Sequence, residues 1–255
     1  SILGTEENIN ELKLIDLQNF HKNLYIPTNS CIAVAGKLPK NYLEIFKNCL
    51  FREFSKTLNY SKQSFINNNT IRKGRVIVFF KDIEFSRIFM AWQISSSKHQ
   101  RNILGFEIIS SILTDGRNSI FSRTLKEDRQ LVESVYSGIQ PGELGSLFVI
   151  EASTKRQNLK EVEKIINNLL QKLLTNSSIN NKIKNAIRIV KSNYIFNLET
   201  SSQLSYFYGN HLLWERLNPQ IELSKNFKYW ESTENIKKLI KFLLKEKFTF
   251  IAHNK

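Results

Sequence analysis

The sequence is poor in the residues that build the common nucleotide-binding and nucleophile motifs. With nine glycines in 255 residues it contains no G-x-x-x-x-G-K-[ST] loop, no G-x-G-x-x-G loop and no G-x-S-x-G turn. Two cysteines, Cys31 and Cys49, are too few for a disulfide framework and do not form C-x-x-C. This composition excludes a small disulfide-stapled protein and fits a reducing compartment.

Histidine is also scarce and scattered. His21, His99, His211 and His253 lie far apart, and none belongs to H-x-x-H or H-x-x-x-H. A catalytic zinc ion needs His and carboxylate ligands at close spacing. We therefore expect no metal site and no cofactor site built from this chain alone.

No uncharged apolar run reaches the roughly 18 residues of a membrane span, and no basic segment followed by an apolar stretch opens the chain. These absences predict a protein without membrane contact, in the cytoplasm. The chain begins with Ser1 rather than Met, directly in patterned sequence. We interpret it as part of a longer protein.

Charge of one sign is in excess, with 37 Lys and Arg against 23 Asp and Glu, a net charge of +14. A basic module that binds nucleic acid or acidic polypeptides is one hypothesis. The lysines are scattered over polar helix faces, however, and no nucleic-acid recognition motif accompanies them. The apolar fraction of 41% is sufficient for a folded core.

In the first quarter of the chain, apolar spacing predicts a helix over Leu14–Leu24 and a helix that opens at Pro39. Between them, the apolar run Ser30–Ala35 stops at Gly36 and predicts a strand buried on both faces. The polar, aperiodic stretch from 55 to 75 predicts a linker.

After the linker, Val76–Phe80 and Phe85–Ile94 are predicted to form an antiparallel strand pair. Runs of strands followed by runs of helices indicate an α+β fold, with an antiparallel sheet and helices packed on one face. The remaining predicted elements are a helix ending at Asp115-Gly116, a helix over Ser119–Arg129, strands over Leu131–Ile139 and Ser146–Thr154, several helices from Leu159 to Leu244, and a closing strand over Phe248–Ala252.

The opening of the chain resembles a segment of the insulinase/pitrilysin-type (inverzincin) zinc metallopeptidases that reads I-L-G-T-x-E-x-I, then L-x-x-F-x-x-x-Y-x-P-x-N, an apolar strand and Gly. The matching residues are Ile2, Leu3, Gly4, Thr5, Glu7, Ile9, Leu17, Phe20, Tyr25, Pro27, Asn29, Ala33, Ala35 and Gly36. Downstream, Ile112-Leu113 with Gly116-Arg117-Asn118-Ser119 is similar to the family's I-L-G-G-G-x-S-S-R-L, and Ser232–Ile236 is similar to its closing I-T-x-E-D-I.

The resemblance implies a division of the chain into domains. Members of this family are built from homologous α+β units whose halves enclose a peptide-sized chamber. Residues 1–55 then correspond to the tail of the N-terminal peptidase unit, 56–74 to a linker and 75–255 to a complete C-terminal unit. The family's zinc motif, H-x-x-E-H, lies upstream of the matching segment and is absent here.

The resemblance also implies a function. The parent protein is expected to be a zinc endopeptidase, and this chain its C-terminal part without zinc, inactive alone, which forms chamber wall, peptide-binding surface and partner-docking surface. Expected partners are a peptide or unfolded polypeptide substrate and another peptidase-like subunit in a homo- or heterodimer. If the parent lacks H-x-x-E-H, the chain is instead a non-catalytic subunit of such a peptidase.

Active members often place an Arg and a Tyr seven residues apart in L-R-E-x-x-G-L-A-Y, where they bind the peptide and stabilise the developing oxyanion. Two registers match this motif. In the first, Arg129 and Tyr136 have the required spacing. In the second, which aligns without gaps with Gly116–Ser119, Lys126 replaces the Arg and Glu133 replaces the Tyr. The second register implies a degenerate pair, because a carboxylate cannot donate a hydrogen bond to an oxyanion.

Overall fold

The computed structural model describes residues 4–50, 73–175, 178–216, 218–245 and 247–254. They form two compact units. One contains the described residues up to 50 together with 198–213, and the other contains the described residues of 73–197 and 214–254. Residues 56–72 of the predicted linker lie outside the described residues, and Gly74 already belongs to a strand.

The first unit is helical. Helix α1 (Glu6–Glu11) begins after Thr5, whose hydroxyl accepts the Asn8 amide at 3.3 Å as an N-cap. Helix α2 spans Leu14–Leu24, the bounds that the sequence predicts, and precedes a 3₁₀ turn at Pro27–Asn29. The unit is completed by α3 (Tyr42–Leu50) and α7 (Ser201–Leu213), the latter supplied by a distant part of the chain.

The strand predicted over Ser30–Ala35 is wrong for the described part of the chain, since no strand there pairs with this segment. Its side chains nevertheless alternate in exposure as in an extended chain. The Cys31 thiol lies 3.2 Å from the Gly209 carbonyl of α7, whereas Ile32 and Val34 are 55% and 46% exposed. A strand needs the backbone of a second strand for its hydrogen bonds, and an apolar run alone cannot supply it.

The second unit contains a five-stranded sheet with the order β1-β5-β2-β4-β3. The strands are β1 (Gly74–Phe80), β2 (Ser86–Ile94), β3 (Val132–Gln140), β4 (Ser146–Thr154) and β5 (Phe248–Asn254). Three neighbouring pairs are antiparallel, and β1 runs parallel to β5. The sheet is therefore mixed, with antiparallel pairing predominant.

The predicted pairing of the first two strands is wrong, because β5 lies between β1 and β2. The five residues 81–85 that join them are long enough to pass over one intervening strand, since two interstrand spacings amount to roughly 10 Å. The local pattern identified both strands, but it contains no information about a partner at the far end of the chain.

Helices cover one face of this sheet. The alternate residues Ser86, Ile88, Met90, Trp92 and Ile94 of β2 are buried, whereas the residues between them are exposed or only partly buried. The helices of this unit are α4 (Gln100–Thr114), α5 (Leu159–Thr175), α6 (Ile179–Phe196), α8 (Pro219–Trp230) and α9 (Thr233–Leu243). All five contribute to one apolar core with β2, β3, β4 and β5, which confirms the predicted α+β class.

Strand β1, at one edge of the sheet, carries exposed apolar residues. Val76, Ile77, Phe79 and Phe80 are each between 42% and 48% exposed. Among the described residues β1 pairs with β5 alone, so one side of its backbone faces no strand. None of the described helices is both long and apolar enough to cross a bilayer.

Because Gly105 has no side chain, α8 and α9 can pack closely against α4. A Cβ built at Gly105 would overlap the Trp230 ring and lie 2.7 Å from Leu239 Cδ1. The Trp230 indole N–H donates to the Arg101 carbonyl of α4 at 2.7 Å, so that the ring is held in this place.

We predict that Gly105→Ala lowers the free energy of unfolding by about 1–3 kcal/mol, because overpacking outweighs the gain in helix propensity. Denaturant unfolding followed by tryptophan fluorescence measures the change. The matched control is Gly209→Ala in α7, where the new Cβ would lie 3.5 Å from the Ala33 Cβ, an ordinary contact. Equal stability of Gly105→Ala and the wild type would contradict the proposed packing.

Candidate functional site

The segment that carries the motif resemblance is a helical turn followed by an edge strand. Residues Ser122–Asp128 form a π-helical turn, anchored by the fully buried Leu125, and the chain reverses so that the Leu131 amide donates to the Leu125 carbonyl at 2.8 Å. At the reversal Gln130 has a φ of 50°, in the left-handed region. Strand β3 follows, with a bulge between Val132 and Ser134.

The first candidate pair is exposed and engaged in local contacts. Arg129 Nη1 lies 3.5 Å from Glu161 Oε1 of α5, both side chains being 54% exposed. Tyr136 is 58% exposed on β3 and its ring covers Gly138, where a Cβ would meet Cε1 of the ring at 3.0 Å. The Tyr136 hydroxyl therefore points along its own strand. Because neighbouring strand residues point to opposite faces, it lies on the face away from Ser137, whose hydroxyl is hydrogen-bonded to Thr114 of α4.

The second candidate pair lies in the same helix-to-strand segment. Lys126 is an exposed residue of the π-helical turn, and Glu133 is the exposed extra residue of the β3 bulge. A bulge re-aims the side chain that it carries and often occurs near functional sites. Neither pair is buried, so the fold presents all four side chains at the surface of the second unit.

Beside this segment the second unit contains a polar cavity of about 560 Å³. Its walls are the C-terminal half of α4, residues of β3 and the C-terminal half of α6. Its lining residues carry hydroxyl, amide and carboxyl groups, and the candidate residue Tyr136 lies in the same wall with Gly138, Ile139 and Val190. The volume is within the range of small-molecule sites.

A partly buried carboxyl group lies at one end of this cavity. Glu107 Oε2 accepts the Tyr194 hydroxyl at 2.9 Å. Burial raises the pKa of Glu107, while the Tyr194 hydrogen bond and the charge of Arg216 oppose the shift. Burial also raises the pKa of Tyr194, and the adjacent Glu107 adds to that shift, so Tyr194 remains a neutral donor.

Hydroxyl groups hold the cavity wall together. Ser110 Oγ donates to the Ser137 carbonyl at 2.7 Å, and the Ser137 amide donates to Thr114 Oγ1 at 3.1 Å. These contacts fasten the edge of β3 to α4. The motif resemblance did not predict the cavity, although Glu107 gave one signal: it is the lone charged residue in the otherwise apolar and small-residue run from 103 to 113.

The residues present do not fit a zinc ion. The sequence lacks H-x-x-E-H, and the described residues contain no group of three His, Cys, Asp or Glu side chains placed to hold a metal. Structural and catalytic zinc sites need three or four such ligands.

The left-handed backbone at Gln130 gives a direct test of the local geometry. We predict that Gln130→Gly raises the free energy of unfolding by up to about 1 kcal/mol, because a non-glycine residue in this region carries a steric cost that glycine lacks. The control Gln140→Gly, on β3, is expected to lose about 0.5–1 kcal/mol. Thermal unfolding of both variants measures the difference, and a loss of stability in Gln130→Gly would contradict the described turn.

Comparison with known proteins identifies the family. The family described as Peptidase M16 inactive domain matches residues 12–187. The chain is 23% identical over 215 residues to the uncharacterized zinc protease YmxG of Bacillus subtilis, covering 83% of this chain and 51% of that protein. It is 21% identical over 235 residues to the zinc protease PqqE of Helicobacter pylori, covering 88% and 51%. The chain thus spans about half the length of the curated relatives it matches.

A solved peptidase M16 inactive domain from Pseudomonas fluorescens has the same fold, with a TM-score of 0.79 and 16% identity over 99% of this chain and 60% of that one. The resemblance seen in the sequence is confirmed by this match and by the matches to zinc proteases. The chain belongs to the Peptidase M16 inactive domain family.

Proposed function

We propose that this chain is the non-zinc-binding part of an insulinase/pitrilysin-like zinc endopeptidase, in which it contributes chamber wall, peptide-binding surface and a docking surface for a zinc-bearing unit. Three observations support the proposal. The family is that of the inactive M16 domain, the matched relatives are zinc proteases of about twice the matched length, and the chain itself lacks H-x-x-E-H.

The observation that carries the docking surface is the segment Ser30–Ala35. It has the sequence of a buried strand, yet among the described residues it has no strand partner, and Ile32 and Val34 face solvent. None of the described side chains of 4–48 is buried. Apolar surface of this extent is typical of an interaction site. The first unit is thus proposed to complete the sheet and core of a zinc-bearing peptidase unit.

This proposal retains the domain division expected from the resemblance. Residues 1–55 are the tail of a zinc-bearing unit and 75–255 a C-terminal unit of the same family. The partner is either the upstream part of the same polypeptide or a separate peptidase-like subunit. The second arrangement corresponds to a non-catalytic subunit, and both use the same surface.

The turn at Gln130 favours the second register of the Arg/Tyr motif. In that register the family's Gly, four residues after its Arg, corresponds to Gln130. Gln130 has the left-handed φ that favours glycine. Lys126 and Glu133 then occupy the positions of Arg and Tyr, and the oxyanion-stabilising pair is degenerate in this chain.

If Ser30–Ala35 is the docking surface, hydrogen exchange of its backbone amides changes when the zinc-bearing unit binds. In the chain alone, amides of 30–35 are expected to exchange rapidly, because the described structure gives them no ladder partner. Addition of an M16 unit that contains H-x-x-E-H, from the same genome, is expected to slow their exchange. Hydrogen–deuterium exchange with peptide-level mass spectrometry measures both states.

The test variant carries both Ile32→Glu and Val34→Glu. The control variant is Ile221→Glu, since Ile221 of α8 is also an apolar residue and is 58% exposed. Burying two carboxylates in the interface is expected to weaken association at least tenfold, whereas Ile221→Glu leaves it unchanged. Protection of 30–35 in the isolated chain, or unchanged association of the double variant, would refute the proposal.

The register predicts how peptide cleavage by the assembled peptidase responds to mutation. Because Lys126 and Glu133 form a degenerate pair, replacing both by Ala is expected to change kcat by only a few fold. The pair Arg129→Ala with Tyr136→Ala is expected to behave likewise. Steady-state cleavage of a fluorogenic peptide measures this, and a loss of about a hundredfold with the Arg129/Tyr136 double variant alone would establish the first register instead.

A further inference from the structure

The cavity between α4, β3 and α6 has a charge that differs from that of the whole protein. Its described lining includes the carboxyl groups of Glu107 and Asp115 and no Lys, Arg or His side chain, while Arg216, outside the lining, acts on Glu107 as a positive charge. The chain as a whole carries a net charge of +14. An acidic concave site within a basic protein repels anions and attracts cations.

The remaining lining groups are suited to accept hydrogen bonds. The lining includes Ser110, Ser111 and Thr114 of α4, Asn193 of α6 and Asn197, the C-cap of α6, whose side chains carry hydroxyl or amide oxygens. A carboxylate has about four lone-pair sites, and Tyr194 occupies one of those of Glu107. The site therefore retains acceptor capacity beside a carboxylate.

The wall is also preorganised. The hydroxyls of Thr114 and Ser137 lie 2.9 Å apart, and Ser111 Oγ donates to Asp115 Oδ2 at 3.2 Å. Side chains locked by such bonds need little ordering when a ligand enters, which favours binding. Ile139 and Val190 offer apolar surface to the carbon part of a ligand.

We infer that this cavity binds a primary ammonium group, with the ammonium beside Glu107 and its carbon chain along Ile139 and Val190. Three donors on one cationic nitrogen match a carboxylate flanked by neutral oxygen acceptors. The ammonium comes either from a small free amine or from the amino terminus or lysine side chain of a peptide. The inference uses the second unit alone and does not depend on the proposed peptidase function.

The charges that face Glu107 set the pH dependence. Tyr194 on α6 donates to it, Arg216 acts on it as a positive charge and Asp115 lies at the far end of the same helix. Because burial raises the pKa of Glu107, its negative charge is lost on acidification at a higher pH than for an exposed glutamate. Ammonium affinity is therefore expected to fall as the pH is lowered through that pKa.

The test is a titration of the full chain with 1,5-diaminopentane, monitored by calorimetry and by amide chemical shifts. We expect shifts to cluster on 107–115, 136–139 and 190–197. A tripeptide with a free amino terminus and its N-acetylated form distinguish the two sources: preferential binding of the free form assigns a peptide amine, and binding of diaminopentane alone assigns a small amine. Pentane-1,5-diol is the uncharged comparison.

Glu107→Gln keeps an acceptor for Tyr194 and removes the charge, and it is expected to weaken amine binding at least tenfold. Glu143→Gln, at a 58% exposed carboxyl outside the cavity lining, is expected to leave binding unchanged. Should Glu107→Gln fail to fold, Asp115→Asn and the pH profile of the wild type replace it. Equal binding of the diol, equal affinity of Glu107→Gln, a flat pH profile or no amine binding at millimolar concentration would each overturn the inference.

Discussion

The close approach of Trp230 to Gly105 is the constraint on which the arrangement of the second unit depends. A side chain at position 105 would push α8 and α9 away from α4, and α4 contacts the sheet, α6, α8 and α9. Because α4 is fixed on this side by an indole that also bonds to its backbone, its other side can hold a polar wall without losing its position. Helix α4 thus packs closely through Gly105 on one side and lines the cavity with Glu107 on the other.

Local elements of the fold could be predicted from the sequence, because apolar periodicity and turn residues act over short distances. The bounds of α2 and β4 agree with the pattern of Leu14–Leu24 and Ser146–Thr154. Pairing could not be predicted in the same way. The position of β5 between β1 and β2 depends on residues about 170 positions apart, and no local signal identifies such a partner.

At the candidate site, too, the local sequence could be interpreted but the arrangement of distant segments could not. The motif resemblance located the segment from Lys126 to Tyr136 but left two registers, because side-chain identities there diverge from the family pattern. Backbone geometry at Gln130 adds a criterion that the letters alone do not contain. The cavity was not predicted, since its walls come from three segments that become neighbours only when the chain folds, and Glu107 taken alone has the appearance of an isolated helix charge.

The apolar strand β1 has a consequence for handling the isolated chain. It presents Val76, Ile77, Phe79 and Phe80 beside a backbone edge that no described strand covers. Natural sheets usually protect such an edge with charge, proline or a covering element, and β1 carries one charged residue, Arg75, which pairs with Glu163. An edge with little such protection is a template for the same strand of another molecule. Concentrated preparations of the chain are therefore at risk of edge-to-edge aggregation. At low salt the high net charge keeps the molecules apart, whereas at high salt this repulsion is screened and aggregation is favoured.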